Sequence, residues 1–369
     1  MRRGDTDRTA ALAAGDDGSV DTGGVAWRRL KNLLYRSINA GAAFSRPVCS
    51  TYALVYTTTE AYRGGVLAPD GTIHLVPFCA AVGQKISPAG VVSTYSLVYT
   101  TSAGAYSGGV LAPDGSVHMV PIAAPVGQKI SPAGVVSTYS LVYTTSAGAY
   151  SGGVLAPDGS IHLVPYGAAV GQKVSSSGAV STYSLVYTTA GAYQGGVLAP
   201  NGDIHFAPYI LGAVGQKVSS AGVVSTYSMV YNLADNAYIG GVLAPDGTIH
   251  FIPRSAAVGQ KVDSAGAVST YSLAYTVANA YVGGVLAPDG GIHFVPLSAA
   301  VGQKISSTGA VSTYSLAYTV ASAYFGGVLA PDGTIHLAPR SATVGQSIRT
   351  LPAVPLGIGV CCSPWLNKL

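Results

Sequence analysis

Charged residues and long apolar runs are both scarce in this sequence. Charged residues make up 9% of the 369 positions, although 49% are hydrophobic and the mean hydropathy is +0.39. Gly, Pro, Ser or Asp interrupts every apolar run before it reaches the roughly 18 to 20 residues that a membrane-spanning helix needs. A bundle of transmembrane helices is therefore excluded. A disordered chain is excluded as well, because it would be poor in apolar residues.

Cysteine is also rare, and nothing resembles a targeting segment. The four cysteines are too few and too unevenly placed for a disulfide framework or a CxxC zinc site. Residues 1–21 contain five aspartates and no apolar run of signal-peptide length, so neither a secretory signal nor a transit peptide fits. We therefore expect a cytoplasmic protein without structural zinc.

The sequence does contain a sevenfold repeat. The hexapeptide Gly-Gly-Val-Leu-Ala-Pro recurs at a spacing of 43 to 45 residues, beginning at Gly64, Gly108, Gly152, Gly195, Gly240, Gly283 and Gly326. Each copy carries four short segments rich in β-branched and aromatic residues, and Asp-Gly or Asn-Gly lies between the first two. Because Asp-Gly favours the type I′ hairpin turn, each copy predicts a four-stranded antiparallel meander. Its strands are called A, B, C and D in chain order.

Four strands in about 40 to 45 residues are typical of a β-propeller blade. The terminal copies lack the atypical capping sequence that an open solenoid needs. The first recognisable segment, residues 50–57, is a D strand, and the last three, within residues 326–348, are A, B and C strands. We therefore predict an all-β, seven-bladed β-propeller over residues 50–348. Its seventh blade would be completed by the N-terminal D strand, a one-plus-three velcro closure that removes open edges.

Three segments flank the predicted ring. Residues 1–24 are predicted to be disordered, and residues 349–369 form a proline-broken tail. Residues 25–49 are predicted to form a basic amphipathic helix and a linker, because four cations accompany apolar residues at helical spacing: Trp27, Arg28, Arg29, Leu30, Lys31, Leu34, Arg36 and Ile38. We favour docking of this short N-terminal helix on the ring over contact of residues 26–38 with a membrane or with a partner groove.

The run Gly-Gly-Val-Leu-Ala-Pro-Asp-Gly-Thr-Ile-His resembles the NHL and YVTN propeller repeats. In those repeats a glycine-led inner strand, an Asp-Gly hairpin and a second strand with Ile-Tyr or Ile-His recur. The double glycine is also similar to kelch repeats, but neither the kelch Trp nor the Trp-Asp of WD repeats is present. The resemblance covers residues 50–348 and implies a propeller. It implies no single function, since such folds serve enzymes, lectins and scaffolds alike.

Several side chains are repeated in every blade. One repeat position holds every histidine: His74, His118, His162, His205, His250, His293 and His336. Because packed sheets lie about 10 Å apart, successive imidazoles would be too distant to share a metal ion. We expect structural histidines that are hydrogen-bonded between blades. We assign the three tyrosines per blade to packing between blades rather than to glycan stacking. The lysine of each Gln-Lys pair is expected to be solvated rather than to bind a ligand.

Carboxylates are scarce in the repeats outside the Asp-Gly turns. Glu60 is the single glutamate between residues 50 and 348. Catalysis needs groups of shifted pKa that converge on a pocket, and no Ser-His-Asp arrangement is specified by the sequence. We therefore expect that the chain is not an enzyme, with no catalytic residue, no cofactor and no metal. A lactonase-like hydrolase ranks third among the functions considered.

Positions that differ between the copies cluster just before the double glycine and just after the proline of strand B. The D–A and B–C connections of a meander emerge on the same face, which predicts an exposed rim of Tyr, Phe, Ile and Arg. This composition is typical of protein-recognition surfaces, so we predict a noncatalytic scaffold for protein–protein interaction. A multivalent carbohydrate-binding lectin is the alternative function. Neutral drift among surface loops is the explanation that assigns no function to these differences. The candidate contact residues are Arg63, Phe78, Tyr166, Gln194, Tyr209, Asp235, Arg254, Phe325 and Arg340.

The charge of the ring argues against nucleic acid as a partner. Residues 50–348 contain nine Lys and Arg against ten Asp and Glu, without the clustered cations that backbone binding needs. We therefore expect a monomeric ring whose partner is a protein, or a glycan in the lectin alternative.

Overall fold

The computed structural model describes residues 47–101, 104–144, 148–210, 214–231 and 236–350. These residues form 28 β-strands. Within the described ranges there is no helix, and so none long and apolar enough to cross a membrane. The predicted N-terminal helix and most of the predicted C-terminal tail lie outside these ranges.

The strands follow one another as seven blades. Strand β1 (Val48–Ala53) precedes the first blade. The first three blades comprise β2 (Tyr62–Leu67), β3 (Ile73–Pro77), β4 (Gly83–Ile86), β5 (Val92–Tyr95), β6 (Tyr106–Leu111), β7 (Val117–Pro121), β8 (Val126–Ile130), β9 (Val136–Ser140), β10 (Tyr150–Leu155), β11 (Ile161–Pro165), β12 (Val170–Val174) and β13 (Val180–Ser184). The fourth and fifth comprise β14 (Tyr193–Leu198), β15 (Ile204–Pro208), β16 (Val214–Val218), β17 (Val224–Ser228), β18 (Tyr238–Leu243), β19 (Ile249–Pro253), β20 (Val258–Val262) and β21 (Val268–Ser272). The last two comprise β22 (Tyr281–Leu286), β23 (Ile292–Pro296), β24 (Val301–Ile305), β25 (Val311–Ser315), β26 (Tyr324–Leu329), β27 (Thr334–Pro339) and β28 (Val344–Arg349).

Each blade is a four-stranded antiparallel sheet, as the sequence predicts. Six sheets run A-B-C-D in chain order, whereas the seventh has the order β1-β28-β27-β26. In that sheet β1 pairs with β28 from Val48 opposite Arg349 to Ala53 opposite Val344. The first strand therefore begins two residues before the predicted position and ends four residues before it. The chain thus forms an all-β, seven-bladed propeller.

The D strands end early because the residues that follow them form hydrogen bonds with the next blade instead of continuing the sheet. In the first blade the sheet pairing stops at Tyr95. The N–H groups of Val98 and Tyr99 instead donate to the side-chain oxygen of Gln128 in the second blade, at 3.0 and 2.8 Å. The corresponding glutamine of every blade makes the same pair of bonds and is fully buried. Each glutamine therefore joins two neighbouring blades.

The hydrophobic core is divided into seven clusters. Six lie between two successive blades, and the seventh also includes loop-face residues of other blades, such as Tyr209. Between the first and seventh blades, for example, Tyr62, Ile73 and Leu75 pack against Val328 and Ala338. Every residue of the first six B strands is buried, because blades cover both faces of each other's sheets. This explains a positive mean hydropathy without a membrane span.

At the innermost strands, the first glycine of each double glycine lies against the corresponding glycine of the next blade. The first glycine of each double glycine has φ between +70° and +89°, a region that is costly for residues with a Cβ atom. A Cβ atom added to Gly195 would lie 2.8 Å from the Cα atom of Gly240 in the next blade. Around the ring the corresponding distances are 2.8 to 3.8 Å, so the inner strands approach to glycine contact.

Gly195→Ala tests this close approach, with Gly178→Ala as its matched control. Gly178 also has positive φ, +88°, but no atom lies within 4 Å of its added Cβ. We expect the control to lose about 1 kcal/mol of unfolding free energy from backbone strain. We expect Gly195→Ala to lose at least about 2 kcal/mol more, because backbone atoms must move apart. Equal losses in urea unfolding would contradict the glycine contact.

The pairing of β1 with β28 predicts a second effect on stability. Deletion of residues 1–57 should expose the edge of β28 and cause aggregation or strand exchange between molecules. Deletion of residues 1–24 is the control and should leave the melting temperature nearly unchanged. A monomeric 1–57 deletion with an unchanged melting temperature would show that the ring does not depend on β1.

Candidate functional site

The D–A and B–C loops lie side by side on one face of the ring, which we call the loop face. The A–B and C–D turns lie on the opposite face, the turn face. Backbone hydrogen bonds join the D–A loop of one blade to the B–C loop of the preceding blade. Examples are Ala61 N–H to the Arg340 carbonyl, 2.7 Å, and Ala105 N–H to the Phe78 carbonyl, 2.7 Å. The described variable positions therefore lie on one face of the ring.

The variable positions are nevertheless much less exposed than the sequence suggested. Phe78 and Tyr209 are 8% exposed, Gln194 is 6% exposed and Val282 is 1% exposed. The predicted exposed rim is therefore wrong for these positions. These side chains pack against neighbouring loops and on one another. A Cβ atom added to Gly104 of the next D–A loop would lie 2.4 Å from the Phe78 ring, and Tyr209, Val282 and Phe325 belong to one apolar cluster.

Arg63 and Arg340 share a single carboxylate on this face. The Arg63 guanidinium lies over the Phe78 ring, 3.4 Å from its centroid, and 5.1 Å from the centroid of Phe325. The Glu60 carboxylate accepts a hydrogen bond from Arg340 and lies 3.7 Å from Arg63. Two cations, two rings and one anion thus meet where the first and seventh blades adjoin.

Arg254 forms a second group whose described partners are neutral. Its guanidinium donates to the Tyr209 hydroxyl and to the side-chain oxygens of Asn279, at 2.8 Å, and Asn236, at 3.4 Å. It also lies 5.3 Å from the centroid of the Tyr209 ring. The Tyr166 ring is the next one along, 5.9 Å from that of Tyr209.

The two groups influence each other electrostatically. Burial and the positive charge of Arg340 lower the pKa of Arg63 to about 10, and the same two causes lower the pKa of Arg254. The Nε atoms of Arg63 and Arg340 are buried without a hydrogen-bond partner. We call the combined group the arginine sector: Glu60, Arg63, Phe78, Tyr209, Arg254, Phe325 and Arg340.

The structure sorts the nine candidate residues into three sets. Seven of them lie together: six belong to the arginine sector, and Tyr166 borders it. Gln194 is buried on the same face, beside the buried pair Ser107 and Ser151, whose hydroxyls are 3.0 Å apart. Asp235 lies outside the described residues. The sequence analysis missed Glu60 and Asn279 as site residues, although the singular occurrence of Glu60 in the repeats was a usable signal.

The repeated histidines lie within the blades and not at the loop face. In six blades the histidine Nδ1 is 3.0 to 3.4 Å from a tyrosine hydroxyl of the same blade, as in His74 with Tyr95. The tyrosine reaches it because its ring crosses Gly83 of the intervening C strand, which has no side chain in the way. The prediction of histidine bonds between blades is therefore wrong, whereas the structural role is supported.

In the fifth blade the same pair lacks this bond. His250 Nδ1 and the Tyr271 hydroxyl have no hydrogen-bond partner, although the two rings remain 5.4 Å apart.

Within the described ranges, no group of three or more His, Cys, Asp or Glu side chains is placed to hold a metal ion.

Comparison with known proteins identifies the fold alone. No family model matches the sequence, and no curated protein does. Among solved structures, a streptogramin B lyase is similar at 17% identity and a TM-score of 0.72, over 84% of this chain and 100% of that one. A virginiamycin B lyase from Staphylococcus aureus gives 18% and 0.69, over 83% and 100%. The WD40 β-propeller domain of Doa1 gives 14% and 0.62, over 82% and 97%. These likenesses agree with the propeller that the repeats predicted.

The prediction that the chain is not an enzyme is contradicted by these comparisons. Two of the similar structures are lyases of the same propeller architecture, so a propeller of this kind can carry catalysis. The sequence argument counted carboxylates over the whole ring. However, a reaction needs only a few groups at one place, so a low count of carboxylates over the whole ring does not exclude one.

The buried histidines predict that stability depends on pH. Burial and a nearby lysine lower the pKa of His74, His162, His205 and His250 to about 4 and that of His293 to about 3, and burial also lowers the pKa of His336. Because the folded pKa lies below the unfolded value of about 6.5, protonation favours unfolding. Their contribution is fully present above pH 6.5 and is lost as the pH falls toward 4.

We therefore expect the melting temperature to fall steadily between pH 6.5 and 4.5, with each histidine costing roughly 1.4 kcal/mol per pH unit in this window. A double variant, His74→Asn with His162→Asn, should show a shallower fall. A melting temperature that stays flat from pH 7.5 to 5 would contradict the burial of the histidines.

Proposed function

We propose that the chain recognises a protein partner through the loop face, and that the arginine sector is the centre of the contact. The observation that carries this proposal is the gathering of Arg63, Arg254 and Arg340 with aromatic rings on one part of the loop face, at repeat positions where most blades carry no arginine. Arginine and tyrosine dominate the energetic centres of protein interfaces. A ring of near-identical blades can distinguish one orientation of a partner only where its copies differ.

The arrangement of these side chains supports the proposal. Arg254 is held by Tyr209, Asn236 and Asn279, and Arg63 is held against Phe78. Side chains that are already fixed lose little conformational entropy when a partner binds. Arg63 and Arg340 expose 16% and 18% of their side chains and Arg254 is partly exposed, so a partner on the loop face would meet part of each side chain.

The multivalent lectin alternative has less support. It would require equivalent sites in every blade, with tyrosine and glutamine available to a glycan. The seven repeated glutamines are fully buried and bind backbone. The tyrosine at the start of each A strand, Tyr62 in the first blade, is also buried, and its hydroxyl bonds a carbonyl of its own blade. These residues are occupied by the fold.

Comparative capture tests the proposal. Wild-type protein, Arg254→Ala and Arg349→Ala are immobilised, and the proteins that each retains from a cell lysate are quantified. Arg349 is the matched control, because it is an arginine of the turn face, 3.1 Å from Asp332. We expect the partner to remain on the control and to be lost from Arg254→Ala, since one anchor is worth roughly 2 kcal/mol, about a thirtyfold change in Kd.

Melting temperatures of both variants verify that the fold is intact. A partner that Arg254→Ala retains as well as wild type, but that Arg349→Ala loses, would move the site to the turn face. Retention of glycans in proportion to the number of intact blades would favour the lectin.

A further inference from the structure

We propose that the arginine sector binds a carboxylate-rich segment of a protein, with Glu60 acting as an internal carboxylate that the incoming segment displaces. This inference rests on the proposed function, because it specifies the chemistry of the partner that docks on the loop face. Four observations support it, and they concern the carboxylate already present, the charge count, the support of the cations and the contrast with the turn face.

The sector already accommodates one carboxylate. Glu60 places its side chain against Arg340 and within 3.7 Å of Arg63, so the spacing of these two cations suits a single carboxyl group. The Glu60 backbone adopts φ of +58°, which is uncommon for a residue with a side chain. Its backbone also joins two blades, since the Glu60 carbonyl accepts from Cys79 N–H and its N–H donates to Ser341 Oγ. The loop therefore holds the glutamate at this place.

Positive charge remains after Glu60 has been counted. The sector contains three arginines and one glutamate, and the described partners of Arg254 are uncharged oxygens. Besides burial, the positive charge of Arg340 lowers the pKa of Arg63 and that of Arg254, so an additional anion beside these cations would relieve repulsion.

The cations are supported on aromatic rings. Arg63 lies on Phe78 and Arg254 lies near the face of Tyr209. A guanidinium on a ring keeps its edge available for paired hydrogen bonds to a carboxylate. Partial burial strengthens such bonds relative to those of a fully solvated arginine. The sector is therefore suited to carboxyl groups rather than to a diffuse anionic surface.

Two cations of the turn face are each paired with a carboxylate. There Lys217 pairs with Asp203 at 2.7 Å and Arg349 pairs with Asp332 at 3.1 Å. Each of these cations faces its own carboxylate. Arg349 thus has a carboxylate partner of its own away from the loop face, which makes it a suitable control residue.

Fluorescence anisotropy with labelled octaglutamate as the probe tests the proposal, using the full chain. We expect saturable binding by wild type and Arg349→Ala, at least tenfold weaker binding by Arg254→Ala, and no binding of octaglutamine or octalysine. Glu60→Gln should bind octaglutamate at least threefold more tightly, because Arg63 and Arg340 lose their internal anion. Raising the salt concentration from 50 to 300 mM should weaken binding in wild type.

Other results would overturn the proposal. These are no binding of octaglutamate, equal binding of octaglutamine, an Arg254→Ala variant that binds like wild type, or tighter binding of inorganic polyphosphate than of octaglutamate. Unfolding of Glu60→Gln, detected by its melting curve, leaves Arg254→Ala as the decisive variant. If a captured protein depends on Arg254 but octaglutamate does not bind, the carboxylate specificity fails and the proposed function stands. If octaglutamate binds through Arg254 but no protein is captured in that way, the proposed function fails and the anion site stands.

Discussion

The contact between seven glycine backbones at the axis is the constraint on which the rest of the structure depends. At this point a Cβ atom on Gly195 would lie 2.8 Å from a backbone atom of the next blade. In five of the seven copies an added Cβ atom would lie within 3.3 Å of the next blade's backbone, and all seven glycines have positive φ, which disfavours any other residue there. Once the inner strands are this close, the blades are forced face to face, and both faces of each sheet are buried. The low charge and high hydropathy of the chain follow from that burial.

Much of the fold could be predicted because each blade repeats local signals that are strong by themselves. Asp-Gly marks the A–B hairpin and the double glycine marks the inner strand, and seven copies of both leave little choice of architecture. The ends of the D strands could not be predicted in this way. They depend on the hydrogen bonds that Gln128 and its equivalents accept from the backbone of the neighbouring blade. The sequence around a D strand does not reveal a bond to a side chain of another blade.

The sequence predicted the location of the candidate site better than the exposure and contacts of its side chains. Comparison of the copies identified the loop face and six residues of the arginine sector, because positions that vary among near-identical repeats stand out. Their exposure was misjudged, since Phe78 and Tyr209 are buried by loops that converge only in three dimensions. Glu60 was noticed as a rare carboxylate but not connected with Arg340, because 280 residues separate two side chains that the closed ring brings into contact.

Stability and the proposed recognition depend on different positions of the same repeat. The glutamine bonds, the histidine–tyrosine pairs and the glycine contact recur around the ring. Packing therefore requires the same residue at these positions in successive blades. The residue before the double glycine and the residue after strand B are free of these duties. Arginine there would be costly to bury alone, yet Phe78 supports Arg63 and Glu60 bonds Arg340. The loop face can therefore hold an excess of charge that the interior could not, and an excess of one sign is what a partner of the opposite sign can recognise.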